Sequence, residues 1–426
     1  MKEQIVNLGN GVDALFIKND RFNSTLLSFH FFVPLNAETI EKNALLPFLL
    51  SSCTEEYKDY TALNIRLLEL YGGILSSSVN KSGDNLHICI SLNLINNDLT
   101  FDNEDIITKG ADLLFSMLFK PSLEGLAFTD KDVQREKRQT IDRIEGEINN
   151  KRSFARSRLL AEMFGSDPYG LFVYGKAENV VKITGEELYE TWKQLLTSAY
   201  IRFHVVGKTL PLKTFENLGV AFSNISRENV LGVKKATLLP PTDKVNTITE
   251  KLSVSQGKLT LGYTCSQNGE GEEALPHLLF SDIFGGGAYS KLFRNVREKQ
   301  SLCYYCSASA AFKKGYMIVD SGIDAANAQR LIDAVNHELD DIKNGNIDNA
   351  DIESSKKSIY ENLMSCYDSA ASLDMWYCRS LDKDKVFSPE SVADKINSIT
   401  KEQIVNAANC YKLHTIYKLL PEGSEE

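Results

Sequence analysis

The chain lacks any apolar run near the roughly 18 residues needed to cross a bilayer, so no membrane-spanning helix is expected. It also lacks an excess of positive charge. Its 47 Lys and Arg against 57 Asp and Glu give a formal charge of −10 and a pI of about 5.3, which argues against a nucleic-acid-binding surface. Met1–Asn7 contains no apolar stretch of the kind that opens a secretory signal. With eight cysteines scattered over a long chain, a cytoplasmic protein with reduced thiols is the expectation.

Several chemistries are missing as well. No Gly-x-Ser-x-Gly occurs, and no Cys/His pairing is evident. Gly285-Gly286-Gly287 is not followed by Gly-Lys-Ser/Thr and does not meet Gly-x-Gly-x-x-Gly, so it reads as a turn and not as a phosphate loop. The six histidines are His30, His87, His204, His277, His337 and His414, and no two lie three or four residues apart. Helical zinc-binding pairs are therefore excluded. A site assembled from histidines distant in sequence is left open by spacing alone. Cys303 and Cys306 form a lone Cys-x-x-Cys. No second pair exists to complete a four-thiolate zinc site, and strand-like alternation would send the two thiols to opposite faces, against a redox or metal role.

What is present is a soluble globular composition, 43% apolar and 24% charged over 426 residues, long enough for two or more domains. The chain also repeats itself. Thr184 with Glu187, and Thr400 with Gln403, have capping-box spacing at the start of a helix, and each helix is followed by a strand, Arg202–Val206 and His414–Lys418. Asp132-Val133 and Asp351-Ile352 each open a charged amphipathic helix. Ala44-Leu45-Leu46-Pro47 is echoed by Ala274-Leu275-Pro276. The offsets run in one order: 216 (184 to 400), 219 (132 to 351) and 230 (44 to 274).

Further strands are expected at Thr25–Val33, His87–Leu94, Lys258–Tyr263 and Tyr316–Asp320. Helices are expected at Leu63–Leu70 and from Asp130 to about Phe164. The charge-dense stretch Lys131–Arg158 reads as a solvated helix face. Leu238-Leu239-Pro240-Pro241-Thr242-Asp243 reads as linker, because proline removes backbone donors. The expected fold class is α+β. Residues 1–228 and 244–426 would form two homologous domains, each a mostly antiparallel sheet packed with helices, joined by a linker at 229–243.

At Lys291-Leu292-Phe293-x-x-Val296-Arg297-Glu298-Lys299-x-x-Leu302-x-Tyr304, the chain resembles the second-half motif of the pitrilysin-like, or inverzincin, metallopeptidase family. Asp167-Pro168-Tyr169-Gly170 with Gly175 resembles a second family segment, and the likeness covers nearly the whole chain. The resemblance implies domains that form half-shells. It also implies that active members carry His-x-x-Glu-His on a helix, with a further glutamate as the third zinc ligand. In this chain, Ala44 and Phe48 stand where the two histidines belong and Pro47 stands where the general base belongs. Glu136 matches a family glutamate, but Arg143 occupies the ligand position seven residues later.

The residue chemistry agrees: Ala and Phe have no lone pair for a cation, and an arginine repels one. No metal or cofactor is expected in this chain. The resemblance is to bacterial paired processing-peptidase-like proteins of the inactive-subunit type. It implies a zinc-bearing homologous partner, with Arg297 and Tyr304 reaching peptide substrate in trans. Taken alone, Arg297 and Tyr304 read more readily as a surface ion pair and a packed aromatic than as substrate contacts. Peptidase activity is expected only with the partner, and a homodimer is open for the isolated chain. A second expectation is a peptide-binding scaffold without proteolysis, a role some paired members have in peptide maturation or elongation factor P modification.

Overall fold

The computed structural model describes residues 3–379 and 387–424. In the first half, strands β1 (Glu3–Gly9), β2 (Val12–Lys18), β3 (Ser24–Pro34), β4 (Ile74–Ser82), β5 (Asn85–Ile95), a small hairpin β6 (Leu123–Glu124) and β7 (Ala127–Phe128), and β8 (Tyr200–Gly207) are formed. Six of them make one sheet in the order β1-β2-β8-β3-β5-β4. The second half supplies β9 (Asn246–Leu252), β10 (Gly257–Cys265), β11 (Tyr305–Ala311), β12 (Tyr316–Ile323) and β13 (Tyr411–Pro421), in the order β11-β12-β10-β13-β9.

The helices in chain order are α1 (Ile40–Leu50), α2 (Tyr60–Glu69), α3 (Ile106–Phe119), α4 (Asp130–Gly146), α5 (Lys151–Phe164), α6 (Ala177–Val180), α7 (Gly185–Ser198) and α8 (Leu212–Ser223) in the first half. The second half adds α9 (Leu275–Gly285), α10 (Ala328–Lys343), α11 (Asn349–Met364), α12 (Ala370–Arg379), α13 (Pro389–Ile396) and α14 (Lys401–Asn409).

The duplication is visible strand by strand. Read in reverse, the second sheet runs β9-β13-β10-β12-β11 and matches β2-β8-β3-β5-β4 of the first. The pairing senses match too: β2 with β8 and β9 with β13 are parallel, and the other equivalent pairs are antiparallel. Both capping boxes form, Thr184 with Glu187 before α7 and Thr400 with Gln403 before α14. Each helix then leads into a strand beside the sheet centre. The fold is the α+β class expected.

The continuous helix expected from Asp130 to Phe164 is broken. The α-helix stops at Gly146, and Asn150 starts a new one by accepting a hydrogen bond from the Ser153 N–H at 3.1 Å. This break decides the domain layout. The structure divides into two compact units, and the first consists of residues up to Glu145, then Phe172–Lys234, then the segment from Tyr367 that carries α12. The second takes Gly146–Leu171 with α5, then Lys235–Cys366 and the described residues from 387 onward. The units therefore differ from a simple cut at the linker: each contains a helix from the other half of the chain. The two helices are repeat equivalents, α12 against β3 and β8, α5 against β10 and β13.

In the first unit, Phe29, Phe115 and Phe203 pack ring to ring on one face of the sheet. In the second, α5 lies directly on the sheet, where Gly262 leaves room for Met163 and Leu159. Two of its arginines are fixed there. Arg152 and Arg156 pair with the buried Asp320 at 2.6 and 2.7 Å. In the first unit, Lys137 donates to the Ile183 carbonyl at 2.9 Å. The stretch Lys131–Arg158 is thus only partly a solvated face.

His277, on α9, stacks on Phe312 with centroids 3.7 Å apart, its Nδ1 lying 3.2 Å from the Tyr411 hydroxyl. Burial pushes its pKa down to about 4. A histidine held below its unfolded value of about 6.5 stabilises fully above that pH, and the contribution is lost as pH falls through the folded value. Urea midpoints should therefore show that wild type loses about 2 kcal/mol more than His277→Gln between pH 7.5 and pH 5. Equal losses in the two proteins would show that His277 is protonated in the folded state.

Candidate functional site

Helix α1 carries the first set of expected residues. Asn36 and Thr39 begin its backbone ladder, and Leu45, Leu46, Leu49 and Leu50 bury one side in the first unit. Ala44 is fully buried among them and presents only a methyl group. Pro47 lies inside the helix, its carbonyl accepting from the Ser51 hydroxyl at 2.8 Å and the Ser77 hydroxyl at 3.3 Å. Nothing at position 47 can accept a proton from water.

Arg143, near the end of α4, reaches Phe48: its guanidinium carbon lies 4.0 Å from that ring centroid and 6.0 Å from the Tyr174 centroid. The structure therefore brings Phe48 and Arg143 together in a cation–π contact. Arg143 Nη1 is buried with no hydrogen-bond partner among the described residues. An orphan donor favours an acceptor and disfavours a cation, so these residues do not fit zinc. Glu136 is buried and its carboxylate is engaged by Arg135 Nε at 2.9 Å. Arg135 also holds Asp132 at 2.6 Å and Ser52 at 2.7 Å.

Gly175 closes the loop beside α1. Its φ is +69°, and an added Cβ would collide with the Glu41 side chain. Glu41 is buried, and its Oε1 accepts from the Lys176 N–H at 3.1 Å and the Asn179 amide at 2.9 Å. Gly175→Ala is expected to lower stability by more than about 1 kcal/mol, because it combines left-handed strain with displacement of Glu41. An unchanged thermal midpoint would refute this. Asp167 meanwhile receives Lys314 at 3.0 Å, and Tyr169 and Tyr316 share a hydroxyl contact of 3.1 Å, so this motif is a packing device of the second unit.

Arg297 and Tyr304 belong to the second unit. After α9 a turn containing Gly286 and Gly287 leads into a π-helical segment, Leu292–Lys299, that carries Arg297. Leu292 and Val296 are buried and set the orientation of this segment. π-Helical turns put successive side chains in positions that an α-helix does not offer, and they recur at functional sites. Arg297 Nε donates to the Tyr304 backbone carbonyl at 2.9 Å, tying the two residues directly. The guanidinium also lies 4.5 Å from the Phe293 ring and pairs with Glu298 at 3.2 Å.

Tyr304 is 55% exposed, and its hydroxyl donates to Asp324 at 3.0 Å. That bond holds the phenol pKa above its ordinary value, so Tyr304 remains a donor at neutral pH. The pair is thus linked, solvent-accessible and rich in donors.

The Cys-x-x-Cys that brackets Tyr304 departs from expectation. The strand begins at Tyr305, so Cys303 lies before it and the strand alternation does not separate the thiols. A hydrogen bond from Cys306 lowers the Cys303 pKa, helped by the Arg297 charge, and the same contact with burial raises Cys306.

The fold and the filled ligand positions describe a metallopeptidase-like framework without a metal site on α1. A family model described as Peptidase M16 inactive domain matches residues 182–359. A probable inactive metalloprotease, YmfF of Bacillus subtilis (strain 168), is 30% identical over 415 residues, covering 97% of this chain and 96% of that protein. An uncharacterized zinc protease of the same organism, YmxG, is 22% identical over 59% of this chain and 60% of its own length.

Among solved structures, a conserved protein from Enterococcus faecalis V583 superposes with a TM-score of 0.89 at 27% identity, covering 100% of both chains. A peptidase M16 inactive domain from Pseudomonas fluorescens shares the fold, with a TM-score of 0.77 at 16% identity over 100% of this chain and 99% of that one. The chain belongs to the pitrilysin-like M16 peptidase family. No helix among the described residues is long and apolar enough to cross a membrane.

Proposed function

We propose that this protein is the non-catalytic, substrate-binding subunit of a cytoplasmic heterodimeric zinc peptidase. A zinc-bearing homologous chain supplies the metal, the water and the base. Arg297 and Tyr304 hold the peptide carbonyl and stabilise the oxyanion that forms from it. The observation that carries this reading is their tethering: Arg297, on a π-helical segment, donates at 2.9 Å to the backbone carbonyl of the exposed Tyr304, in a chain whose own metal positions hold Ala44, Pro47, Phe48 and Arg143. A chain kept only as scaffold has no need of a linked pair of exposed donors.

The test is to purify the chain with whatever binds it, sequence the partner, and assay the complex on peptides. A partner with His-x-x-Glu-His, and kcat/KM lowered by Arg297→Ala and by Tyr304→Phe, is the expected result. A partner without a metal motif, or kcat/KM unchanged in both variants, overturns it and leaves the peptide-holding scaffold.

A further inference from the structure

Three of the six histidines, far apart in sequence, meet on one face of the first sheet. Strand register places His30 of β3 opposite Cys89 of β5, His87 of β5 opposite Phe32 of β3, and His204 of β8 opposite Ser28 of β3. Directly paired residues of antiparallel strands point to the same face. Helix α12 covers that face and brings Asp374 and Cys378, four residues apart and so on one side of the helix. Relative exposure is 0% for His30 and His204, 2% for Cys378, 3% for Asp374 and His87, and 6% for Cys89. So many polar groups in a dry interior require a partner for each lone pair.

The distances sort these groups into two shells. His30 Nδ1 is 2.9 Å from His87 Nε2, and the Cys378 Sγ is 3.3 Å from the same Nε2. The three ligand atoms lie within 4.8 Å of one another. On its other side, His30 Nε2 is 3.0 Å from Asp374 Oδ1. That oxygen also accepts from the Ser28 hydroxyl at 2.8 Å and lies 2.9 Å from His204 Nδ1. A carboxylate fixing the far nitrogen of an imidazole is the usual outer support of a metal-bound histidine, because it leaves the near nitrogen's lone pair facing the metal. Cys89 stands beside His30, its sulfur within 4.8 Å of the His30 and Asp374 ligand atoms.

The geometry points to a zinc site formed by His30, His87 and Cys378, with Asp374 orienting His30 from outside. Tetrahedral zinc, with Zn–N of about 2.0–2.1 Å and Zn–S of about 2.3 Å, separates neighbouring donors by about 3.3–3.8 Å. The 2.9 and 3.3 Å spacings need to open by no more than about half an ångström each. Zinc displaces the proton between His30 and His87 and the Cys378 thiol proton, which pass to solvent. It fastens α12, which comes from the second half of the chain, to the sheet of the first. The site shares no residue with the α1 positions, and its test does not depend on the peptidase partner.

The experiment uses the untagged full-length chain. After dialysis, one zinc per chain is expected by elemental analysis. Replacing it with Co2+ should give a thiolate-to-cobalt charge-transfer band. Cys378→Ser and His87→Gln should each weaken binding at least about tenfold and change that band, while Cys410→Ser leaves both intact. Substoichiometric zinc, cobalt without a thiolate band, or binding indifferent to both substitutions overturns the site and leaves a hydrogen-bonded network. Should either variant fail to fold, the cobalt spectrum of the wild-type chain decides alone.

Discussion

Arg297→Ala, made in this chain and assayed in the paired enzyme, is expected to lower kcat/KM on the order of 100-fold, the usual effect of removing one oxyanion donor. The loss should fall mainly on kcat, because a donor aimed at developing charge acts in the transition state and little in the ground state. Tyr304→Phe removes only the hydroxyl and should produce a loss of the same order. The double variant should lose less than the product of the two, since Arg297 holds the Tyr304 backbone through its Nε. Stability should barely move. Tyr304 is 55% exposed and the Arg297 side chain 37% exposed, and surface substitutions of this kind usually change stability by no more than about 0.5 kcal/mol. A rate loss without a stability loss separates substrate contact from packing. Arg297→Lys should fail to rescue, because the ammonium keeps the charge but not the planar fork that reaches both carbonyl and substrate.

Asp374→Ala should be the most damaging single change to the fold, destabilising the metal-free chain by about 3–5 kcal/mol, as breaking a buried ion pair does. Asp374 is the common acceptor for Ser28, His30 and His204, and its loss leaves all three without that partner in the core. Burial opposes charge on both members of the Asp374–His30 pair. Their mutual attraction nevertheless wins, holding the Asp374 pKa well below the ordinary carboxylate value and the His30 pKa well above 6.5.

The signs follow from those directions. A depressed carboxylate stabilises above its unfolded pKa of about 3.9, and the effect is lost as pH falls through the folded value. A raised histidine stabilises fully below its unfolded pKa of about 6.5, and the effect is lost as pH rises through the folded value. The penalty for Asp374→Ala should therefore be largest between about pH 4 and 6.5 and shrink in alkali. Urea midpoints at pH 5.5 and pH 9 measure this, and a penalty that grows with pH would refute the ion pair. Asp374→Asn, which retains an acceptor for Ser28, should cost less.

Much of this molecule was readable before folding. Strand alternation placed β3, β5, β10 and β12 to within a few residues, and the two capping boxes located α7 and α14, because these signals are local. The duplication was readable for the same reason: equivalent helices need the same caps and the same apolar stripes. The residue types at Ala44 and Phe48 were readable too, since neither a methyl group nor a phenyl ring offers a lone pair to a metal ion.

Long-range placement was not readable. Nothing in the stretch from Asp130 to Phe164 marks Gly146 as the point where the chain passes from one unit to the other, or Asn150 as the cap of a new helix. A helix cap and a mid-helix asparagine look alike until tertiary contacts select between them. The Cys303–Cys306 contact depended on a strand starting at Tyr305, a boundary that alternation alone misplaced by two residues.

The sequence by itself determined that this is an α+β duplication with Ala44, Pro47 and Phe48 on α1 and with an Arg297–Tyr304 motif. Only the tertiary structure decided that α5 and α12 are exchanged between the units, that Arg143 lies against Phe48, and that His30, His87 and Cys378 converge. The physical reason is separation along the chain. Caps and periodicity are written in neighbouring residues, whereas His30 and Asp374 meet only because sheet register and a crossing helix bring together residues 344 positions apart.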